Sequence, residues 1–422
     1  MKQIAVVTGI IFTGLLVQTA LADLSLVQPT GEGARAFGMA NNFVALSSDL
    51  SAMFWNPAGF AFVPAREFQV SFDGLSQRSS TAFFGNDNNA ALMRPRLVNI
   101  GYLHSFPTVQ GGFTLAGAFH SPYTFDDVLT FGGNYQEKGS NNQIFLDNEY
   151  KTYGGLDLWS GGFGLQVAKG LGIGAAVSLV TGREDVSTMV LKYTNGAIAD
   201  AINDDYDQTK TRTYIGYDIR LGMLYQVLKN LNLGLRFVIP QTIWFTEDLS
   251  ETYPHSATEP DYSAQYSGKL MSSYSGAFGV AAVFPFLTAS AECRARLPYN
   301  ALFPLARIPD TSLASQTLWG LGVGLEAPLG ISSILARAGF SWDQFDTHVF
   351  AMQYSGENPG WDPGGLSPVG DKLMGTLGMG FIIRRVCLEW AYGYDMYRLN
   401  TRGTLDETHV QQRLLASLSF RF

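Results

Sequence analysis

The residues with the most chemical potential are charged side chains set at alternate positions in otherwise apolar runs. They are Asp218 with Arg220, Arg236, the set Glu292, Arg294 and Arg296, then Arg337, Glu389, Arg413 and Arg421. Residues two apart share one face of a strand, so these charges line one side of each segment. Arg220, Arg236, Arg294 and Arg337 have the fork geometry that a ligand carboxylate wants. The same guanidiniums serve equally as ion-pair partners that hold a polar interior together, which is the commoner use. Hydrolytic chemistry would need a nucleophile with an ordered base. His120 beside Ser121, or His348 near Asp343 and Asp346, are the places to imagine one. Histidines in polar rim loops are far more often simply solvated. The five histidines, His104, His120, His255, His348 and His409, show no metal-ligand spacing, and no Gly-x-Ser-x-Gly elbow is present. The many Gly-x-Gly pairs fall mid-strand, where glycine serves curvature, and make no phosphate loop. Cys293 and Cys387 lie far apart in strand-like runs and read as small wall residues, without metal-ligand spacing. No cofactor, metal or enzymatic role is therefore expected.

The elements that must carry these charges are strands. In Leu414–Phe422, the residues Leu414, Ala416, Leu418, Phe420 and Phe422 share one face, while Leu415, Ser417, Ser419 and Arg421 share the other. One face suits lipid and the other a polar lumen, and an aromatic final residue is typical of a bacterial outer-membrane barrel and its handling by the barrel assembly machinery. Comparable runs recur from Arg66 onward. Outward residues are Phe68, Val70 and Phe72 on the first and Val98, Ile100 and Tyr102 on the second. They are Phe113, Leu115 and Phe119 on the third and Trp159, Phe163, Leu165 and Val167 on the fourth. Further runs start near Leu171, Ile215, Leu231, Tyr274, Leu287, Trp319, Ile334, Leu373 and Val386. With the last, the count is about 14, so the fold class expected is all-β: a transmembrane antiparallel β-barrel.

Composition agrees. Charged residues are 15% of the chain, well under the share in ordinary soluble proteins, and aromatics reach 13%. A formal net charge of −8 without a basic run argues against nucleic acid as a partner. Lys2, the apolar run Ile4–Leu21 and the small-x-small site Ala20-Leu21-Ala22 read as a cleavable signal peptide over 1–22. Short and long connections alternate, which assigns short turns to the periplasm and long loops to the outside. Two long polar stretches, 120–155 and 184–213, are expected as external loops. They carry Phe125, Leu129 and Phe131, and Met189, Leu191 and Ile198, with 197–202 looking helical. Such apolar residues would either capture greasy ligands or pack loops together as a cap.

The segment before the strands is different. Gly33-Ala34-Arg35-Ala36-Phe37-Gly38 is followed by Ser47-Ser48-Asp49 and by Asn56-Pro57-Ala58-Gly59, without two-residue alternation. Here the chain resembles the FadL/TodX family of outer-membrane transporters for hydrophobic compounds. The likeness continues through 157–183, 214–245 with its Leu-Gly-Leu-Arg-Phe stretch, and 371–397. It implies a small N-terminal hatch, residues 23–64, inside a 14-stranded barrel, residues 65–422, with Gly33, Arg35, Asn56, Pro57 and Ala58 in the hatch motif. Arg35 would anchor the hatch to a wall carboxylate. It implies passive uptake by a monomer of fatty acids first and aromatic hydrocarbons second, in contact with outer-membrane lipid. A kinked third strand, here at Gly117 or the following Pro122, would give a lateral exit. A PorV-like branch of similar motif binds protein partners in secretion, and the motif does not separate the two.

Overall fold

The computed structural model of the chain describes residues 28–29, 31–108, 111–136, 141–198, 205–254, 260–297, 317–346, 351–354, 369–401 and 405–422. The expected signal peptide and His348 lie outside them. Fourteen strands form the wall: β1 (Glu67–Phe83), β2 (Asn86–Phe106), β3 (Phe113–Thr124), β4 (Gln143–Ala168), β5 (Leu171–Thr194), β6 (Asp205–Leu228) and β7 (Leu231–Thr252). They continue with β8 (Ser275–Phe284), β9 (Leu287–Arg296), β10 (Leu318–Leu329), β11 (Ile331–Asp346), β12 (Val369–Ile383), β13 (Val386–Thr401) and β14 (Leu405–Arg421). Each pairs antiparallel with the next. β14 returns to pair with β1 over its whole length, from Leu405 opposite Phe83 to Arg421 opposite Glu67. The sheet is a closed barrel, as the alternation predicts.

Side-chain period sets which face is which. On β14, Leu414, Leu418 and Phe420 are exposed while Arg413, Ser417 and Ser419 are buried. On β6, Ile215, Tyr217, Leu221, Met223 and Tyr225 are exposed while Asp218 and Arg220 are buried. The exterior is thus a band of large apolar side chains, with Trp159, Trp319, Trp390 and Tyr392 among them. Such a band is costly in water and matches the hydrocarbon of a bilayer. No helix of the described residues is long and apolar enough to cross a membrane.

Two local expectations are corrected. Val98 does not face outward but is fully buried. It is the extra residue of a bulge, since Ser71 pairs with Asn99 and Phe72 with Leu97. A bulge flips parity, so Leu97 and Met93 take the outer face beyond it. The stretches 120–155 and 184–213 are not simply loops. β4 to β7 run far past the apolar band with largely polar outer faces, and a further strand, Asp127–Gln136, pairs with Gln143–Thr152 of β4. Their polar outward residues hid the strand period beneath an overall polar composition. Of the stretch 197–202 expected to look helical, Ala197 closes a turn with Thr194, and 199–202 lie outside the described residues.

The N-terminal segment Gly31–Val63 contains two short helices, α1 (Ala34–Gly38) and α2 (Ala52–Trp55), and a 3-10 turn at Pro57–Phe62. Most of its side chains are buried. Gly33, at φ 77°, starts α1 where a side chain would be strained. Asn56 caps the 3-10 turn by accepting from the Ala58 N–H at 3.2 Å, and Pro57 follows as its first residue, where its missing N–H costs nothing.

Candidate functional site: the occupied bore

Inward-facing groups from strands all round the barrel hold the Gly31–Val63 segment. The Ala34 N–H donates to Ser417 Oγ of β14 at 2.8 Å, and the Ala40 N–H to Thr376 Oγ1 of β12 at 3.0 Å. Asn42 Nδ2 donates to the Val323 carbonyl of β10 at 3.1 Å, and the Val44 N–H to Glu292 Oε2 of β9 at 3.0 Å. Asn56 Nδ2 donates to the Met223 carbonyl of β6 at 3.1 Å, and Ser105 Oγ of β2 to the Val63 carbonyl at 3.0 Å. Glycines on the wall make this approach possible. A Cβ on Gly174 would land on Pro57, one on Gly322 on Asn42, and one on Gly222 on Asn56. Wall glycines, Gly174 and Gly322 of Gly-x-Gly pairs among them, therefore provide room for the inner segment, a use beyond the curvature expected of those pairs.

The bore arginines are mostly committed. Arg35 makes a two-pronged contact with Glu326, Nε to Oε2 at 3.0 Å and Nη2 to Oε1 at 2.9 Å, and Nη1 donates to Ser48. Arg337 bridges Glu326 and Glu389, at 2.7 Å to each. This balanced run of two cations and two anions ties α1 to β10, β11 and β13. Buried charges demand such pairing, and loss of one partner strands the rest at about 3–5 kcal/mol. Arg294 pairs with Asp343 and Glu292 and also reaches Asn42. Arg220 holds Asp218 at 2.7 Å, donates to the Phe54 carbonyl at 3.0 Å and to the Tyr123 hydroxyl at 3.1 Å, and lies over the Phe54 ring at 3.9 Å.

Arg236 differs. Its guanidinium lies 5.7 Å from the Trp55 ring centroid, and its buried Nε has no hydrogen-bond partner among the described residues. Of the four arginines expected to face a ligand, it is the one with no carboxylate at ion-pair distance among the described residues; Glu292 attracts it from farther off. A continuous run of packed apolar side chains leads to it. Phe125, Leu156, Leu158, Tyr214 and Phe245 form one buried cluster above the bore. Tyr123 packs on that cluster and on the inner one built from Phe43, Phe54 and Trp55. Phe54, Trp55 and Tyr123 carry this run; Tyr123 belongs to the 120–155 stretch expected to hold apolar residues, whereas Phe54 and Trp55 were missed in the sequence, because isolated aromatics outside an alternating run announce no face.

The expected apolar capture set does not form one patch. Phe125, Leu129 and Phe131 are buried under the barrel's tall strands. Met189 is exposed on the outer face of β5, Leu191 is half-buried on the same strand, and Ile198 is half-buried just past the Thr194–Ala197 turn. Gly117 makes no kink: it pairs regularly with Tyr102 and Gly161. The irregularity lies farther on, at Ser121–Pro122, where the ladder with β4 shifts register and pairing with β2 ends at His120. Proline removes a ladder donor, which is why the break sits there. A second break occurs in β7, where Pro240 and Gln241 together oppose Asp218. His120 Nδ1 sits 2.6 Å from Glu32 Oε2, and Ser121 bonds Asp157, so the two neighbours do not face each other as base and nucleophile.

No protein-family model matches the chain, and no curated protein sequence matches it. Solved structures do. The toluene transporter TodX of P. putida aligns with a TM-score of 0.65 at 15% identity, covering 93% of this chain and 99% of its own. A Pseudomonas aeruginosa FadL homologue gives 0.59 at 14% identity, covering 94% and 99%. The toluene transporter TbuX of Ralstonia pickettii gives 0.58 at 14% identity, covering 93% and 98%. The chain has their fold. At this identity the likeness speaks to architecture, and the bore's own residues must speak to use.

Proposed function

We propose that the chain is an outer-membrane passage for hydrophobic small molecules and that the Gly31–Val63 segment acts as its hatch. The observation that carries the proposal is a lipid-compatible cylinder whose bore is occupied by a segment bordered by a buried apolar path. The structural relatives, named for toluene and for FadL, support the same class of solute. A water-filled pore does not help an apolar solute, whereas an apolar path through an occupied bore spares it rehydration. Each buried methylene contributes about 0.8 kcal/mol, so even a shallow path holds a long chain well.

Within this class, long-chain fatty acids rank first because Arg236 offers a cation beside the apolar path, and aromatic hydrocarbons rank second. The wall break at Ser121–Pro122 is the natural place for a lateral exit. The test is uptake of radiolabelled oleate and toluene by cells with and without the chain, with the folded barrel verified in the outer membrane by heat-modifiable mobility. Faster entry of either solute supports the proposal, and equal entry of both ends it.

A further inference from the structure

The strand Asp127–Gln136 is bonded in two unlike ways along its two edges. One edge pairs with Gln143–Thr152 of β4 in an ordinary backbone ladder. The other has no backbone partner among the described residues, since β2 pairs with β3 only from Asn99 to Phe106. Side chains of the β1–β2 hairpin close it instead. Ser79 Oγ donates to the Val128 carbonyl at 2.5 Å and Thr81 Oγ1 to the Thr130 carbonyl at 2.6 Å. Asn88 Nδ2 donates to the Gly132 carbonyl at 3.0 Å and Asn86 Nδ2 to the Asn134 carbonyl at 3.1 Å. These are alternate residues, so they project their carbonyls along the same edge. Four neutral side-chain donors thus stand where a strand would otherwise be. Gly133, at φ 133°, permits the closest approach, because a Cβ there would strike Asn86.

Such a seam parts without unzipping the wall. The β1–β2 ladder on one side and the β4 ladder on the other stay whole while the four caps exchange their carbonyls for water. Beneath it lies a buried apolar cluster of Phe83, Leu129, Phe131, Leu146, Tyr150 and Val186. At its outer end Phe84 and Tyr135 stack at 4.8 Å, bridging the two sides. We infer that this seam is the entry gate for an apolar solute: the β1–β2 hairpin and the Asp127–Gln136 strand separate, and the solute enters the cluster between them before meeting Phe125 and the bore. The inference rests on the proposed passage of hydrophobic molecules and assigns the place where it begins.

The test bridges Thr81→Cys and Thr130→Cys with a short, reducible bis-methanethiosulfonate reagent in the full-length protein, with each single variant and the native chain, which keeps Cys293 and Cys387, as controls. Uptake of labelled oleate and toluene is expected to fall at least tenfold on bridging and to recover on reduction. The Ser79→Ala, Thr81→Val, Asn88→Ala variant, lacking three caps, is expected to take up solute faster than the native chain. Uptake that survives complete bridging overturns the gate and leaves the passage standing. Absence of uptake by the unbridged variant and the native chain alike removes the passage, and hydrogen exchange over 127–136 then judges the seam. Exchange slowed tenfold by the bridge supports a parting seam, and exchange indifferent to it overturns one.

Discussion

Arg236 carries the sharpest consequence among single residues. Its neighbours in role, Arg35, Arg220, Arg294 and Arg337, each meet a carboxylate, while Arg236 meets the face of Trp55. If it receives a ligand carboxylate, Arg236→Gln should lower oleate uptake about tenfold, the worth of one charge-assisted hydrogen bond, and leave toluene uptake unchanged. Equal losses for both solutes would make Arg236 a packing residue. Alternation alone told which side chains point inward, because a two-residue period needs only neighbouring sequence. It did not tell which of the four candidate arginines lacks an ion-pair contact among the described residues. Arg35 and Glu326 are 291 positions apart, and such a pairing exists only once the cylinder has closed.

At the scale of elements, the strand Asp127–Gln136 has a built-in sensitivity to pH. Asp127 is buried at its base, accepts from Gln77 and its own following N–H, and faces His409 at 3.7 Å and Glu407 on β14. Burial pushes its carboxyl up to about 6, against the pull of His409 and with the push of Glu407. A value raised above that of the unfolded chain means that the closed form binds the proton more tightly. The contribution is therefore whole at low pH and is lost as pH rises through about 6, on the order of 3 kcal/mol in all. Exchange protection over 127–136, corrected for intrinsic rates, should be greater at pH 5 than at pH 7.5, and Asp127→Asn should reduce the difference, the remainder belonging to His409, whose imidazole, against the cost of burial, Glu407 also holds above its usual range. Protection independent of pH in the native chain would contradict this. The strands of the apolar band were readable because lipid imposes strict alternation on one face. The strand extensions beyond the band, the bulge at Val98 and the breaks at Pro122 and Pro240 were not. There both faces are polar, or one inserted residue exchanges the two.

The molecule as a whole joins two parts that need each other. A barrel of 14 strands has a bore too wide for its own side chains to fill, and the Gly31–Val63 segment is too short and too rich in small residues to bury a core alone. Wall glycines and bore ion pairs are matched to that segment, which is why removing it should open the cylinder and leave it standing. Single-channel conductance in a planar bilayer measures this directly. The intact chain should stay near the baseline, and a chain lacking Gly31–Gly59 should insert and conduct several-fold more. Identical conductance from the two, with both shown to be inserted barrels, would mean that nothing occupies the bore.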